Sequence, residues 1–140
     1  MSTEENKARM NRIPLEVFNE GKLGVVDELM AADYVEHVAT PGFPGGTAGL
    51  KQFVTALRAA FPDFNYTVDD SIAEGDKVVQ RVTARGTMKG AFAGMPATGK
   101  QATWTETHIA RVADGKLVEH WADQDRLGML QQLGVIPTPG

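Results

Sequence analysis

Apolar residues in the first part of the chain recur every three or four positions, which is the spacing of helices that bury one face. Ser2 and Glu5 have the spacing of a capping box, so a first helix is predicted to begin there and to end near Gly21. Pro14 lies within this run, and its missing N–H group predicts a kink or a restart of the helix. A second, short helix is predicted over residues 25–30.

The following segment is predicted to contain a strand, a loop and a third helix, in that order. Residues 33–37, "DYVEH", predict a brief strand, and the Pro/Gly-rich residues 39–49 predict a loop. A third helix then carries apolar residues at helical spacing until "FPDF", residues 61–64, ends it.

From Asn65 onward the apolar positions alternate with a period of two, which predicts two pairs of strands. The turn sequence "EGDK" joins the first pair. Asp114-Gly115 joins the second pair and is a strong signal for a two-residue hairpin turn. A last helix is predicted from Arg126 to Leu133.

Helices followed by antiparallel strands predict one α+β domain over residues 1–140, with the helices on one face of a curved sheet. A chain of this length can bury a single hydrophobic core. The formal net charge is -4 with acids and bases interspersed, which argues against nucleic acid as a partner. The absence of cysteine excludes disulfides and thiol nucleophiles, and no apolar stretch is long enough to span a membrane. We therefore expect a cytoplasmic protein that does not bind membranes.

Both tryptophans share a strand face with charged residues. In the last strand, simple alternation predicts one face formed by Leu117, Glu119, Trp121, Asp123 and Asp125. In the preceding strand, the corresponding face has Trp104, Glu106, His108 and Ala110. If these faces point inward, they line a pocket, because several carboxylates cannot be buried without partners. An apolar pocket with a few polar groups is typical of a small-molecule site. The alternative is a pair of amphipathic strands whose charges reach water.

His108 and Asp125 are the candidate acid/base pair on these strands. A carboxylate beside aromatic walls is desolvated, and its pKa rises toward the range useful for proton transfer near neutral pH. The alternative interpretation is a histidine with satisfied hydrogen bonds and an aspartate that caps the last helix. His37 lies either at the cavity mouth or on the surface. No HxxxH, HxH or HExxH pattern occurs, so no metal site is expected.

Five segments of the chain carry a family resemblance. They are "YVEH", "FPDF", "EGDKVVQRVTARGT", "GAFAGMPATGK" and "HIARVADGKLVEHWADQDRLGMLQQLG", in this order between Arg9 and Pro137. Together they resemble the SnoaL-like polyketide cyclases, also called ester cyclases, a family similar in fold to nuclear transport factor 2 and ketosteroid isomerase. The resemblance implies a cone-shaped, mixed but mostly antiparallel sheet, wrapped by N-terminal helices around a deep pocket and followed by a short C-terminal helix.

The resemblance also implies an activity, the intramolecular aldol condensation that closes a ring of a polyketide ester without cofactor or metal. In the family, an acidic residue between the last strand and helix accepts and donates the proton, and a histidine lies in the same pocket. Asp125 takes the acid position, His108 takes the histidine position, and Asp123 is a close rival for the acid. The other residues expected to bind substrate or support the pocket are His37, Arg81, Trp104, Glu119 and Trp121.

The leading hypothesis is thus a cofactor-independent acid/base enzyme acting on a small carbonyl or polyketide-like substrate. One alternative is a non-catalytic binding module that uses the same pocket. Another is a hydratase or epoxide hydrolase whose carboxylates orient water, since one fold can host several reactions. We also expect a homodimer, with the sheet face of Thr103, Thr105, Thr107 and Ile109 as the candidate interface.

Overall fold

The computed structural model describes residues 2–38 and 40–139, which form four α-helices, one π-helical segment and a five-stranded sheet. In chain order these elements are α1 (Thr3–Arg12), the π-helical segment (Ile13–Phe18), α2 (Gly24–Leu29), β1 (Met30–Glu36), α3 (Gly46–Ala60), β2 (Asn65–Glu74), β3 (Lys77–Thr87), β4 (Gln101–Ala113), β5 (Lys116–Gln124) and α4 (Arg126–Gln132). This order confirms the predicted α+β class and the short C-terminal helix.

The first helix begins and changes type where the sequence predicts. The hydroxyl of Ser2 accepts a hydrogen bond from the backbone N–H of Glu5 at 3.0 Å, which caps α1. Pro14 lies one residue into the π-helical segment, which continues directly from α1, so its missing N–H group falls where the helix changes type. The predicted restart at the proline is therefore a change from α-helix to π-helix at Ile13.

The strands form one mixed sheet in the order β1-β5-β4-β3-β2. Strands β2 to β5 pair antiparallel in sequence order, and β1 joins the edge parallel to β5. The turn between β4 and β5 has positive φ at both Asp114 (51°) and Gly115 (78°), as a two-residue hairpin of this type requires. The predicted Asp-Gly hairpin is confirmed.

A β-bulge interrupts β5 near its start. Leu117 pairs with Val112 of β4, and the next pair of the ladder joins Glu119 to Arg111. Val118 is therefore an extra, unpaired residue on β5, which lies between two pairs formed by consecutive residues of β4. A bulge of this kind reverses the facing of every later residue relative to simple alternation.

The bulge makes the predicted facing of β5 wrong after Leu117. His120 and Ala122 point to the inner face, on which the helices pack, together with Leu117. Glu119 and Trp121 point instead to the outer face of the sheet. The alternation predicted for β4 is right, because Trp104, Glu106 and Ala110 are all buried on its inner face.

The helices cover the inner face, with α3 packed beside β1 and α1 across β2 and β3. Aromatic side chains fill much of the layer between helices and sheet, namely Phe18, Phe61, Phe64, Tyr66 and Trp104. Ring centroids lie 5.1 Å apart for Phe18 and Tyr66 and 4.8 Å apart for Phe64 and Tyr66, both edge to face. This core ends at a cavity toward the loop that precedes α3.

Candidate active site

A cavity lies between the inner face of the sheet, the π-helical segment and α3. Its main part has a volume of about 330 Å³ and shares walls with a deeper, apolar part of about 60 Å³. Residues 43–45, in the loop before α3, and Gly46 at the start of α3 also line the main part. The polar side chains that line one or both parts are Tyr34, Glu36, Thr40, Tyr66, Gln80, His108, His120 and Gln124. A mostly apolar cavity with a few convergent polar groups is typical of a small-molecule site.

Glu106 of β4 is a buried acid beside this cavity, with only 4% of its surface exposed. Its oxygens accept hydrogen bonds from the Tyr66 hydroxyl and Trp104 Nε1, each at 2.7 Å, and Oε1 lies 2.7 Å from His108 Nε2. Burial, the largest influence, raises the pKa of Glu106. The hydrogen bond and charge of His108, with the bonds from Tyr66 and Trp104, outweigh burial and hold that pKa below its usual value. Glu106 is therefore a carboxylate at neutral pH.

A continuous chain of hydrogen bonds runs from Glu106 to the opposite wall of the cavity. His108 Nδ1 lies 2.8 Å from His120 Nε2, and the two ring planes are 26° apart with centroids 5.0 Å apart. His120 Nδ1 lies 2.6 Å from Glu36 Oε2 on β1. We call Glu106, His108, His120 and Glu36 the proton chain, because each neighbouring pair shares a hydrogen bond.

Two tyrosines donate to the ends of this chain. The Tyr66 hydroxyl donates to Glu106, and the Tyr34 hydroxyl donates to Glu36 Oε1 at 3.3 Å. Burial, followed by the negative charge of Glu106, raises the pKa of Tyr66 well above 10, and burial with the charge of Glu36 raises that of Tyr34. Both hydroxyls therefore keep their protons at neutral pH, and each donates its single proton to a carboxylate at one end of the chain.

The structure places His108 at the cavity, as the sequence predicts, and Trp104 beside it. His108 lines both parts of the cavity, whereas Trp104 is 5% exposed and borders a smaller neighbouring recess with Glu106. The Trp104 ring thus contributes an aromatic wall, and its Nε1–H group also holds the Glu106 carboxylate.

Three other expected pocket residues lie on the outer face instead, where they form what we call the outer cluster of His37, Glu119, Trp121 and Arg111. The rings of His37 and Trp121 stack with centroids 4.6 Å apart, and Glu119 contacts both His37 Nε2 at 2.9 Å and Arg111 Nε at 2.5 Å. Hydrogen bonds from His37 and then Arg111 lower the pKa of Glu119. The prediction that Glu119 and Trp121 line the pocket is wrong, because the bulge at Val118 reverses their facing. The prediction is also wrong for His37, which follows the inward-pointing Glu36 of β1 and stacks on Trp121 at the outer face.

Arg81 and Asp123 are also outside the cavity. Both are exposed, and both pair with Thr107 of β4 in the backbone ladder, one from each side. On β3 the neighbours of Arg81, Gln80 and Val82, are the buried residues. The predicted pocket positions of Arg81 and Asp123 are therefore wrong.

Asp125 is the N-cap residue of the last helix, as the alternative interpretation of the sequence predicted. Its carboxylate Oδ1 accepts a hydrogen bond from the Gly128 N–H at 2.9 Å and caps α4, and its side chain is exposed. The adjacent residues Gln124 and Arg126 line the cavity or its neighbouring recess, whereas Asp125 does not. Its role as proton carrier stays a prediction.

Sequence reasoning missed Glu36 and His120 as site residues. Glu36 follows Tyr34 by two residues in a strand, which places both on one face. The neighbouring His37 was instead predicted to line the pocket. His120 was assigned to the wrong face because a bulge leaves no signal in the hydrophobic period. The spacing of Glu106 and His108 on one strand face was visible in the sequence.

Two kinds of feature are absent from residues 2–38 and 40–139. No group of three or more histidine, aspartate or glutamate side chains is arranged there to hold a metal ion. In the same part of the chain, no helix has the length and apolar character needed to cross a membrane.

The chain is similar to known cyclases in sequence and in structure. The family model described as SnoaL-like polyketide cyclase matches residues 8–133. Aklanonic acid methyl ester cyclase DnrD from Streptomyces peucetius is 32% identical over 129 residues, which cover 89% of each chain. Nogalonic acid methyl ester cyclase from Streptomyces nogalater is 31% identical over 119 residues, covering 84% of this chain and 89% of the relative.

Among solved structures, TsrD from Streptomyces laurentii superimposes with a TM-score of 0.88 at 27% identity, covering 97% of this chain and 99% of TsrD. The match confirms the fold implied by the resemblance, a curved mixed sheet with N-terminal helices around a pocket. Because the family model spans most of the chain and curated relatives exceed 30% identity over nearly all of it, this protein belongs to the SnoaL-like polyketide cyclase family.

Proposed function

We propose that this protein is a cofactor-independent cyclase that closes a ring of a polyketide-type ester by an intramolecular aldol reaction. The observation that supports it most is the proton chain, in which two histidines are held between two carboxylates at an apolar cavity. The names of the two relatives, cyclases of aklanonic and nogalonic acid methyl esters, together with the family's description as polyketide cyclases, favour the methyl ester of a polyketide acid as the class of substrate.

The reaction needs one proton removed and one returned. A base takes a proton from the carbon next to a carbonyl group, and the resulting enolate attacks a second carbonyl carbon within the same molecule. The new alkoxide then receives a proton, so no atom is gained or lost. A positioned acid/base group contributes typically ~10²–10⁴-fold to such a step.

The proton chain and Asp125 are rival assignments for the acid/base group. His108 lies at the cavity, and its orientation is fixed by Glu106 on one side and His120 on the other. The carboxylate of Asp125 already accepts the capping hydrogen bond of α4, and Asp125 does not line the cavity. We therefore assign proton transfer to the chain that contains His108.

The test measures cyclisation of aklanonic acid methyl ester by purified protein, with nogalonic acid methyl ester as the second substrate. An aldol product has the mass of its substrate, so chromatography separates them and mass spectrometry confirms equal masses. His108→Gln is expected to lower kcat by at least ~10²-fold, the lower end of acid/base contributions. Asp125→Asn is expected to retain kcat within about threefold, because asparagine also caps helices well.

Loss of activity in Asp125→Asn with the fold intact would transfer the role to Asp125. Binding of both esters without conversion would favour the non-catalytic binding module. Incorporation of labelled oxygen from solvent water would favour the hydratase or epoxide hydrolase. Homodimer formation through the face of Thr103, Thr105, Thr107 and Ile109, and a cytoplasmic location, stay predictions.

A further inference from the structure

We propose that Glu36 is a catalytic residue that takes the proton from the substrate, and that His120 is a positioning residue that holds an extra proton beside it. This inference rests on the proposed function, because it names the group within the proton chain that touches the substrate.

The hydrogen bonds of the proton chain require an extra proton. The three contacts, Glu106–His108, His108–His120 and His120–Glu36, are 2.7, 2.8 and 2.6 Å long, and each needs one proton between its two atoms. Two carboxylates supply none and two neutral imidazoles supply two. The chain therefore carries one proton more than its neutral histidines provide, and its net charge is -1.

The extra proton lies on the pair of histidines. Imidazole is intrinsically a stronger base than a carboxylate, so an imidazolium between two carboxylates is favoured over a neutral carboxylic acid beside a neutral imidazole. His120 then donates from Nδ1 to Glu36, and His108 donates from Nε2 to Glu106. The two rings share the remaining proton between His108 Nδ1 and His120 Nε2.

Glu36 is the member of the chain with an oxygen available to a substrate. The oxygens of Glu106 already accept three hydrogen bonds, and that side chain is 3% exposed. Both nitrogens of each histidine are engaged within the chain. The Glu36 side chain is 18% exposed and lines both parts of the cavity. Within residues 2–38 and 40–139, its Oε1 accepts only the long contact from Tyr34.

The charges around Glu36 favour this role. The titratable groups that line the cavity come from the sheet, namely Tyr34 on β1, Tyr66 on β2, His108 on β4 and His120 on β5, while Glu106 on β4 and Arg126 on α4 line the neighbouring recess. The lining residues contributed by α1, the π-helical segment and α3 are apolar or glycine, including Met10, Ile13, Phe18, Leu50 and Phe53. The histidine pair, through His120, is the group with a positive charge that contacts Glu36 directly.

The proton step balances within the site. The bond from the substrate's α-carbon to hydrogen breaks, its electron pair enters the enolate, and a new O–H bond forms on Glu36. After the enolate carbon attacks the second carbonyl, Glu36 returns that proton to the alkoxide and becomes a carboxylate again. The proton held by the histidines stays in place and limits the build-up of negative charge in the cavity.

The proton count is measured by NMR without any substrate. The chain has three histidines, so protein labelled with ¹⁵N in histidine gives few ring signals, and His37→Asn identifies those of His37. In the native protein at neutral pH, three of the four ring nitrogens of His108 and His120 are expected to carry a proton. In Glu36→Gln the count is expected to fall to two, because the amide can donate to His120 Nδ1. A count of two in the native protein, or of three in Glu36→Gln, would overturn the inference.

Activity on aklanonic acid methyl ester, or on nogalonic acid methyl ester, tests the role of Glu36. Glu36→Gln is expected to lower kcat at least ~10²-fold with KM changed less than about threefold, while Glu36→Asp restores part of the loss. His37→Asn is the matched control on the next residue of the chain and keeps native kcat. Native kcat in Glu36→Gln, together with loss in His108→Gln, would remove Glu36 from the mechanism and leave the proposed function standing.

The split between kcat and KM tests His120 as a positioning residue. His120→Gln keeps amide donors beside Glu36 and His108 but holds no extra proton, so kcat is expected to fall while KM changes less than about threefold. Native kcat in this variant would overturn the positioning role, and a rise in KM that matches the fall in kcat would mean that His120 only supports the fold. Failure of native protein to convert either ester would overturn the proposed function, while the NMR proton count would still decide the state of the chain.

Discussion

At the scale of single residues, Glu106 shows why a buried acid is retained in this site. A carboxylate removed from water is costly unless it is paired and hydrogen-bonded. Tyr66, Trp104 and His108 supply three hydrogen bonds, and their combined effect on the Glu106 pKa exceeds that of burial. Trp104 therefore has a polar function besides its aromatic contacts.

Replacing Trp104 by phenylalanine keeps an aromatic ring but removes the Nε1–H donor to Glu106. We expect Trp104→Phe to lower the free energy of unfolding by about 1.5–3 kcal/mol, the range for hydrogen bonds to charged groups. Trp121→Phe is the matched control, because that ring stacks on His37 at the outer face and donates to no buried carboxylate. Urea denaturation of both variants measures the difference. Equal losses of unfolding free energy in the two variants would mean that the hydrogen bond from Trp104 to Glu106 adds no stability of its own.

At the scale of secondary structure, the sequence predicts the elements well and the faces of one strand badly. The capping box at Ser2, the break at Pro14 and the hairpin at Asp114-Gly115 follow from local chemistry, and each is found where the residues indicate. The bulge at Val118 depends on the pairing of β5 with β4, which no period of two along β5 reveals. One extra residue was enough to exchange Trp121 and His120 between the two faces.

The bulge leads to a prediction about chain length. Deleting Val118 removes the unpaired residue and restores simple alternation from Leu117 through Glu119 to His120, so His120 still points inward. We expect this variant to unfold cooperatively and to retain the hydrogen bond between His108 and His120, as observed by ¹⁵N NMR of labelled histidine. Deletion of Ala122, which lies in the regular ladder, is the comparison and should destabilise the protein more. If the Val118 deletion is the less stable of the two, the bulge has a structural role of its own.

At the scale of the whole molecule, the site depends on contacts between distant parts of the chain. Glu36 and His120 are 84 residues apart in sequence and meet because β1 pairs parallel to β5 at the edge of the sheet. His108 joins them through the β4–β5 hairpin. Residue spacing within β4 pointed to His108, and the family resemblance pointed to the correct fold. Only the strand order brings Glu36 to the histidines, so the sequence alone could not assign it.

The contact between Glu106 and Tyr66 also links the site to the stability of the whole protein. The pKa of Glu106 in the folded state lies below its usual value of 4.5, so its contribution is full above pH 4.5 and is lost as pH falls through the lowered pKa. The pKa of Tyr66 is raised above its usual value of 10.0, so its contribution is present below pH 10 and is lost as pH rises beyond it. The free energy of unfolding should therefore fall below pH 4.5 and above pH 10.

Urea denaturation across this pH range can assign each limb to its residue. Glu106→Gln removes the group that titrates in acid, so the decline of its unfolding free energy below pH 4.5 should be shallower than in the native protein. Tyr66→Phe should make the alkaline limb shallower, with Tyr34 responsible for the remainder, because the pKa of Tyr34 is also raised. It should leave most of the acid limb, because Glu106 keeps the hydrogen bonds from Trp104 and His108. An acid limb of unchanged slope in Glu106→Gln would mean that other carboxylates, such as Glu119 in the outer cluster, dominate acid unfolding. The same experiment thus separates the charge buried at the cavity from the charges on the outer face of the sheet.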